Sequence, residues 1–549
     1  MLLNPRIAYF SMEIGLKDEI KEYAGGLGIL AGDTLKTAAD MGVDMVGISI
    51  LYKNGYFKQV LADDGEQIEA ADSWDYKNIL QNTGIKVSVP LNDDTLHLEI
   101  WKYEIVGVTG KINPLYFLNA DIDENSQENK YISFNLYTPY NHTRLRQEIA
   151  LGIGGVMALK ELGLSTFDIY HLNESHAAFG IVALRDMLGS KDEAKNHVCF
   201  TTHTPAEHGH IIHSKEEIES LISSEHASLL TNDYENNNLH LTKFSLLNSK
   251  FNNAVSQKHS EISSKMFDMP IPGITNGIHV STWASEYFGR LFDEKIPTWR
   301  NYPEDLQRAE GISGDLVINA HDQAKQDLIN YIEANNLGNL SLDIFTIGFA
   351  RRVDGYKRSG FLFYELDRLK EVAEKFDGLQ IIFSGKAYFD YSDGEDHIAY
   401  VIKLSKKNLG KLKIIYLPNY GMNTSSLMVS GCDIWLNNPI KPLEASGTSG
   451  MKAALNGVPN LSTIDGWWVE GLREGITGWA IGNEDDNNEE TELMDMYSKL
   501  ENTIIPAYQS NKREWARLMK SAIAYNASHF NTHRMLREYI DKGYNVSLA

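Results

Sequence analysis

Residues 343–358 read DIFTIGFARRVDGYKR, an apolar run that closes on the basic residues Arg351, Arg352, Lys357 and Arg358. The apolar part has the length and composition of a strand buried on both faces. The same signature recurs downstream in GLQIIFSG (378–385), KLKIIYL (411–417) and CDIWLN (432–437), with helical stretches near 360–376, 394–407 and 423–430 between them. Strand and helix in alternation is the pattern of a parallel sheet covered by helices. Upstream the pattern has already run once, in RIAYFSM (6–12), VDMVGISIL (43–51), FDIYHL (167–172) and HVCFTTH (197–203), with a helix over 144–162. Asn54-Gly55, between strand-like residues in ILYKNGYFKQV, predicts a hairpin. Residues 284–340 read as mainly helical and polar, and EDDNNEE (484–490) as a solvated loop. At 549 residues the chain exceeds one compact domain. The expected fold class is α/β, with two Rossmann-like domains, 1–283 and 284–549, facing a central cleft. In open sheets of this kind the chemistry belongs at the carboxyl ends of the strands.

Hydrophobic residues make up 43% of the chain and charged residues 23%, ordinary values for a globular protein with a large core. Lys plus Arg total 51 against 74 Asp plus Glu, a formal charge of −23. Such a surface repels nucleic acid and anionic membranes, so neither is an expected partner. A local basic cluster can still dominate its own pocket and hold a small phosphate. The two cysteines, Cys199 and Cys432, lie in apolar runs and read as buried thiols of a reducing compartment. MLLNPRIAYFSMEIG has no basic region followed by a sustained apolar stretch, and no run approaches the ~18 apolar residues of a membrane-spanning helix. A cytoplasmic location is expected.

The stretch 444–457, EASGTSGMKAALNG, is a Gly/Ser/Thr-rich turn opening onto a helix that carries one lysine, Lys452. Free N–H groups at a helix start favour a phosphate, and small residues let it come close. A lysine one turn further in can bond covalently to an aldehyde, and pyridoxal phosphate has both groups. The same string also reads as a glycine-rich loop before an ordinary helix with a surface lysine. The basic cluster at 351–358 suits two phosphates held side by side, or is a solvated basic turn. TTHTPAEHGH (201–210) holds His203, His208 and His210, whose spacing does not match a zinc motif. No metal is expected at these histidines. Gly25-Gly26-Leu27-Gly28 can simply cap the helix that follows. Alternatively it presents a backbone N–H to a substrate phosphate, with Gly26 as the candidate. Trp467 and Trp468 are assigned to packing rather than to stacking on sugar rings.

EASGTSGMKAALNG closely resembles the pyridoxal-phosphate signature of the glycogen/starch (α-glucan) phosphorylase family, and the chain resembles that family's short form. Further resemblances follow in order between about residues 5 and 480: YAGGLGILAGD, TTHTP, ITNGIH, GFARRVDGYKR and LPNYG. The resemblance implies a two-domain architecture of the GT-B glycosyltransferase type. It implies that Lys452 carries the cofactor, with Arg351, Tyr420, Thr448 and Ser449 around it. Arg352 and Lys357 fall on the substrate-phosphate ligands, His203 on the contact to the glucose 6-hydroxyl, and Glu444, Ser446 and Gly447 on the 3-hydroxyl region. Asn276, Tyr356 and Gly26 fall on further substrate contacts, and Lys357, Arg352, His203 and Glu444 form the implied catalytic set. The implied reaction is reversible phosphorolysis of glycogen, starch or maltodextrin to α-glucose 1-phosphate with retention, the cofactor phosphate acting as acid and base. A homo-oligomer is a family expectation. Departures are Gly421, where long members carry an arginine, and a shorter loop before RLRQE that leaves Asn141 as the candidate for a sugar-contacting asparagine. No counterpart of the regulatory N-terminal extension of the animal enzymes is expected. Rival readings are a nucleotide-sugar glucosyltransferase of the glycogen or starch synthase kind, a non-catalytic glucan-binding protein and an aminotransferase-like enzyme. The cofactor signature stands against the first, and Lys452, Arg352, Lys357 and His203 together stand against the second. The third lacks an Asp placed by motif to pair with a pyridinium nitrogen.

Overall fold

A computed structural model describes residues 5–62, 64–164, 166–388 and 391–544. The chain divides into two compact units, one of Met1–Phe57, Ala71–Ile274 and Met535–Ala549, the other of Lys58–Ala70 and Thr275–Arg534. Among the described residues no helix is long and apolar enough to cross a membrane.

The first unit is built on an eight-stranded sheet. Its strands run in the order Phe251–Asn253, Val198–Thr201, Ile169–Asn173, Ile7–Ser11, Met45–Ile50, Ile112–Asn119, Thr95–Val106 and Gln81–Pro90. The strands from Phe251–Asn253 to Ile112–Asn119 are parallel, and IAYFS and MVGISI are buried at every position, as expected of strands covered on both faces. The last two strands pair antiparallel, and in Thr95–Val106 buried and less buried positions alternate from Thr95 to Ile100. That is the pattern of a strand with one face on the core. Ile7–Ser11 has Met45–Ile50 on one side and Ile169–Asn173 on the other.

The second unit has a six-stranded sheet, entirely parallel, in the order Leu412–Leu417, Leu379–Ser384, Thr346–Ala350, Ile434–Asn437, Asn460–Thr463, Gly478–Ile481. Numbered within the unit this is 3-2-1-4-5-6, the doubly wound order whose direction of travel reverses between the first and fourth strands. That crevice opens at Ala350 and Asn437.

The expected boundaries, 1–283 and 284–549, differ from this partition for reasons visible in the side chains. Gln59 ties the hairpin of Lys58–Leu61 and Gln67–Ala70 to the second unit: its amide donates to the Gly385 carbonyl (3.0 Å) and the Tyr416 hydroxyl (2.8 Å), and its backbone exchanges bonds with Asn419. The chain's last described residues return to the first unit, where Tyr544 bonds His171 (2.6 Å) and Tyr539 bonds Asn253 (2.9 Å). The hairpin expected at Asn54-Gly55 is displaced to 58–70. Gly55 does turn, at φ +58°, but its neighbours Lys53 and Asn54 donate to Ser133 and Phe134 instead of to a partner strand.

Candidate active site

Strand Thr346–Ala350 delivers Arg351 to the crevice between the first and fourth strands of the second unit, and Asn437 ends the strand facing it. The Arg351 guanidinium donates through Nη1 to Asn437 Oδ1 and through Nη2 to Glu444 Oε2. Lys357, on the short turn Gly355–Lys357, donates to the same Glu444 oxygen at 2.8 Å. One carboxylate thus sits between two cations, the buried Lys357 and the nearly buried Arg351. Burial opposes its charge, but Lys357 and Arg351 hold the Glu444 carboxyl down at about 2. Lys357 is drawn down to about 7, first by burial and then by the like charge of Arg351, against the pull of Glu444. Its ammonium lies 4.2 Å from the ring centroid of Tyr356. Arg352 stands at the rim, its side chain 43% exposed, 3.5 Å from Asp354 and over the ring of Tyr388.

Behind Glu444 lies Asp465, two residues past the strand Asn460–Thr463. Its Oδ2 accepts the Glu444 N–H (2.9 Å) and its Oδ1 the Gly466 N–H (2.9 Å). Burial raises its carboxyl most and the Glu444 charge adds to that, so it rests at about 7 despite the two N–H donors. Because this value lies above that of a free carboxylate, the folded protein holds the proton more tightly than the unfolded chain. The resulting stability is intact below about pH 4 and is lost as pH rises towards 7, at about 1.4 kcal/mol per pH unit. Asp465→Asn is therefore expected to flatten the decline of Tm between pH 5 and 7. Parallel Tm profiles for the two proteins would remove Asp465 from the groups that titrate there.

The 444–452 segment is fixed from the same side. Trp467 donates its N–H to the Ser446 carbonyl (2.9 Å), and Gly466, at φ +54°, leaves no room for a Cβ, which would fall 2.3 Å from that carbonyl oxygen. Gly447 is left-handed at φ +76°, Thr448 occupies the N-cap position of the helix Ser449–Leu455, and Ser449 Oγ accepts the Trp435 indole N–H (3.1 Å). Lys452 is 5% exposed, with its ammonium 3.5 Å from the ring centroid of Trp283. Ser446 Oγ and Arg351 Nε are buried and have no hydrogen-bond partner among the described residues. Tyr420 donates to Ser425 Oγ (3.0 Å), and Asn276 is buried, its Oδ1 without a partner among the described residues. Trp467 and Trp468 are buried, the former edge-on to Phe530, as packing residues are.

In the first unit, His203 follows the strand Val198–Thr201. Its N–H donates to Glu174 Oε2 and its Nε2 lies against Asn173 Oδ1, both at 2.7 Å. Burial, with smaller contributions from neighbouring histidines, holds the ring at about 3, so it is neutral, donating from Nε2 and free to accept at Nδ1. Gly26 opens the helix Gly26–Asp40, and Glu13 Oε2 accepts the N–H groups of Ala24 (2.6 Å) and Gly25 (3.0 Å) just before it. A Cβ at Gly28 would meet Glu13 and Tyr23 at 2.8 Å, whereas at Gly25 or Gly26 it would meet nothing within 4 Å. Packing thus accounts for glycine at 28 but not at 25 and 26. Asn141 is exposed at the start of the helix Asn141–Ile149.

Of the residues singled out from sequence, contacts bring together Arg351, Lys357, Glu444 and Tyr356; Arg352, Tyr420 and Asn276 have other partners or stand apart from that contact set. Asp465, Asn437, Glu13, Asn173 and Glu174 were not anticipated. Each lies at or just past the carboxyl end of a strand, which was the available signal.

The carbohydrate phosphorylase family model matches residues 18–98 and 210–478. The maltodextrin phosphorylase of Thermococcus litoralis is 36% identical, over 99% of this chain and 71% of its own. The glycogen phosphorylase of Aquifex aeolicus is 34% identical over 99% of this chain and 86% of its own, and that of Mycobacterium tuberculosis 30% identical over 98% and 70%. With the family match covering more than half of the sequence and these relatives aligned along nearly all of it, the chain belongs to the carbohydrate phosphorylase family.

Proposed function

We propose that this enzyme is an α-1,4-glucan phosphorylase that uses inorganic phosphate to release α-glucose 1-phosphate from the non-reducing ends of a maltodextrin- or glycogen-like chain. The observation that carries this reading is the convergence of Arg351 and Lys357 on Glu444 at the crevice of a doubly wound sheet, in a protein otherwise strongly acidic. The two-domain glycosyltransferase architecture implied by the resemblance is part of the proposal.

Pyridoxal phosphate fits the residues present. Lys452 is buried on a helix that follows the glycine turn, and the partnerless Ser446 Oγ and Arg351 Nε are buried polar atoms suited to a polar ligand. Lys452 would hold its aldehyde carbon, Arg351, Thr448 and Ser449 its phosphate, and Tyr420 its ring. When bound, it supplies a second phosphate group able to exchange a proton with the substrate phosphate.

The protein's own share is electrostatic and positional. Lys357, with Arg352 at the rim, holds the substrate phosphate, and Arg351 holds a second anion beside it. By holding two anions side by side, Arg351, Arg352 and Lys357 would keep a proton available between them near neutral pH, as acid catalysis requires. Glu444, ionised and fixed through its N–H by Asp465, accepts from the sugar 3-hydroxyl. Neutral His203 offers Nδ1 to the 6-hydroxyl, and Gly26 presents its N–H to the substrate phosphate. Attack of phosphate on the same face that the leaving chain vacates retains the α configuration.

The experiment pairs two incubations of the purified protein, one with maltodextrin and inorganic phosphate, the other with maltodextrin and ADP-glucose. The expected result is α-glucose 1-phosphate from the first and no chain extension in the second. Extension from ADP-glucose without phosphorolysis would replace this proposal with the synthase-like one.

A further inference from the structure

Outside the residues assigned above, one buried ion cluster touches the phosphate-binding loop. Glu492, on the helix Glu489–Lys499, is 3% exposed and pairs with Arg358 at 2.6 Å and Lys441 at 3.2 Å. Arg358 is the residue after Lys357, and its backbone is left-handed, at φ +49°, a conformation that a non-glycine side chain adopts at a cost. Its guanidinium also donates to the carbonyls of Asn438 (2.8 Å) and Pro439 (3.2 Å), while the Asn438 amide donates to the Arg358 carbonyl (2.9 Å). The turn carrying Lys357 is thereby strapped to the strand end that leads into Glu444. Burying a carboxylate among cations is not an efficient source of stability, because desolvation offsets much of the attraction. The neighbouring backbone is also shaped around it: Gly482, at φ +67°, would place a Cβ 2.8 Å from Glu492 Cγ.

We propose that Glu492 is a positioning residue for phosphate: by holding Arg358 in its left-handed conformation, it sets where Lys357 projects. The proposal rests on the phosphorylase reading for the identity of the anion. Neither Arg358 nor Glu492 is among the charges that bear most on Lys357, so the effect is one of geometry rather than of field.

Two variants that keep the charge test it. Glu492→Asp shortens the reach to Arg358, and Gly482→Ala pushes on Glu492 from behind. Binding of inorganic phosphate and of maltodextrin to the cofactor-loaded protein is measured by calorimetry. The expected result is an increase of about tenfold in the phosphate Kd for Glu492→Asp and a smaller one for Gly482→Ala, with the maltodextrin Kd changed less than about twofold, since displacements of about 1 Å cost this much or more at such sites. If Glu492→Asp does not fold, Gly482→Ala decides. Folded variants that bind phosphate normally, or that weaken both ligands equally, overturn the role of Glu492 while leaving the phosphorylase reading intact. An unsubstituted protein that binds no phosphate overturns both.

Discussion

Lys357→Ala is expected to lower kcat/KM for phosphate by about 10²–10³-fold, equivalent to about 3–4 kcal/mol of transition-state stabilisation, with little change in the KM for maltodextrin. The fold should tolerate the change. Glu444 keeps Arg351 as its counter-ion and donates its own N–H to Asp465, so no buried charge is orphaned. Losing a lysine whose ammonium is already disfavoured by burial removes a strained group as well as a ligand. The pH dependence adds a second signature. Lys357 is held at about 7, below its ordinary value, so its charge is present below that pH and is lost as pH rises through it. Phosphate KM of the unsubstituted protein should therefore rise on the alkaline side more steeply than in the alanine variant, where the titration of phosphate itself remains as a common background. Equal losses for phosphate and maltodextrin, or superimposable pH profiles, would remove Lys357 from the phosphate site.

Lys452→Ala is expected to abolish stable retention of pyridoxal phosphate and to lower phosphorolysis on the order of 10³-fold or more. The side chain that is lost is buried, with its ammonium on the face of Trp283, and alanine suits the helix Ser449–Leu455. A folded, colourless protein is thus the expected product, read out by the near-ultraviolet and visible absorption of the dialysed sample. A variant that keeps both chromophore and turnover would show that another group holds the cofactor.

The sheet cores were legible because strands covered on both faces are written as unbroken apolar runs: TIGFA, LQIIFS and IWLN stand out in any reading of the second unit. Two further strands of that sheet were not seen. NLST is polar at three of its four positions and GWAI opens on a glycine, and both are strands because neighbours already in place supply their ladders. The unit boundaries were illegible for a related reason. The ties of Gln59 to Asn419, and of Tyr544 to His171, join residues hundreds of positions apart and leave no local pattern. At the site, Arg351, Lys357, Glu444 and Lys452 were found because they lie in two motifs. Asp465 and Glu492 escaped because each meets its partners only after folding, Asp465 as a lone carboxylate in LSTIDGWW and Glu492 as one of many in an acidic stretch.

The most direct test of the whole account is release of α-glucose 1-phosphate from maltodextrin by protein stripped of cofactor, assayed before and after pyridoxal phosphate is restored. The account predicts product only when inorganic phosphate and the cofactor are both present. Turnover by the stripped protein, or product formed without phosphate, would contradict it.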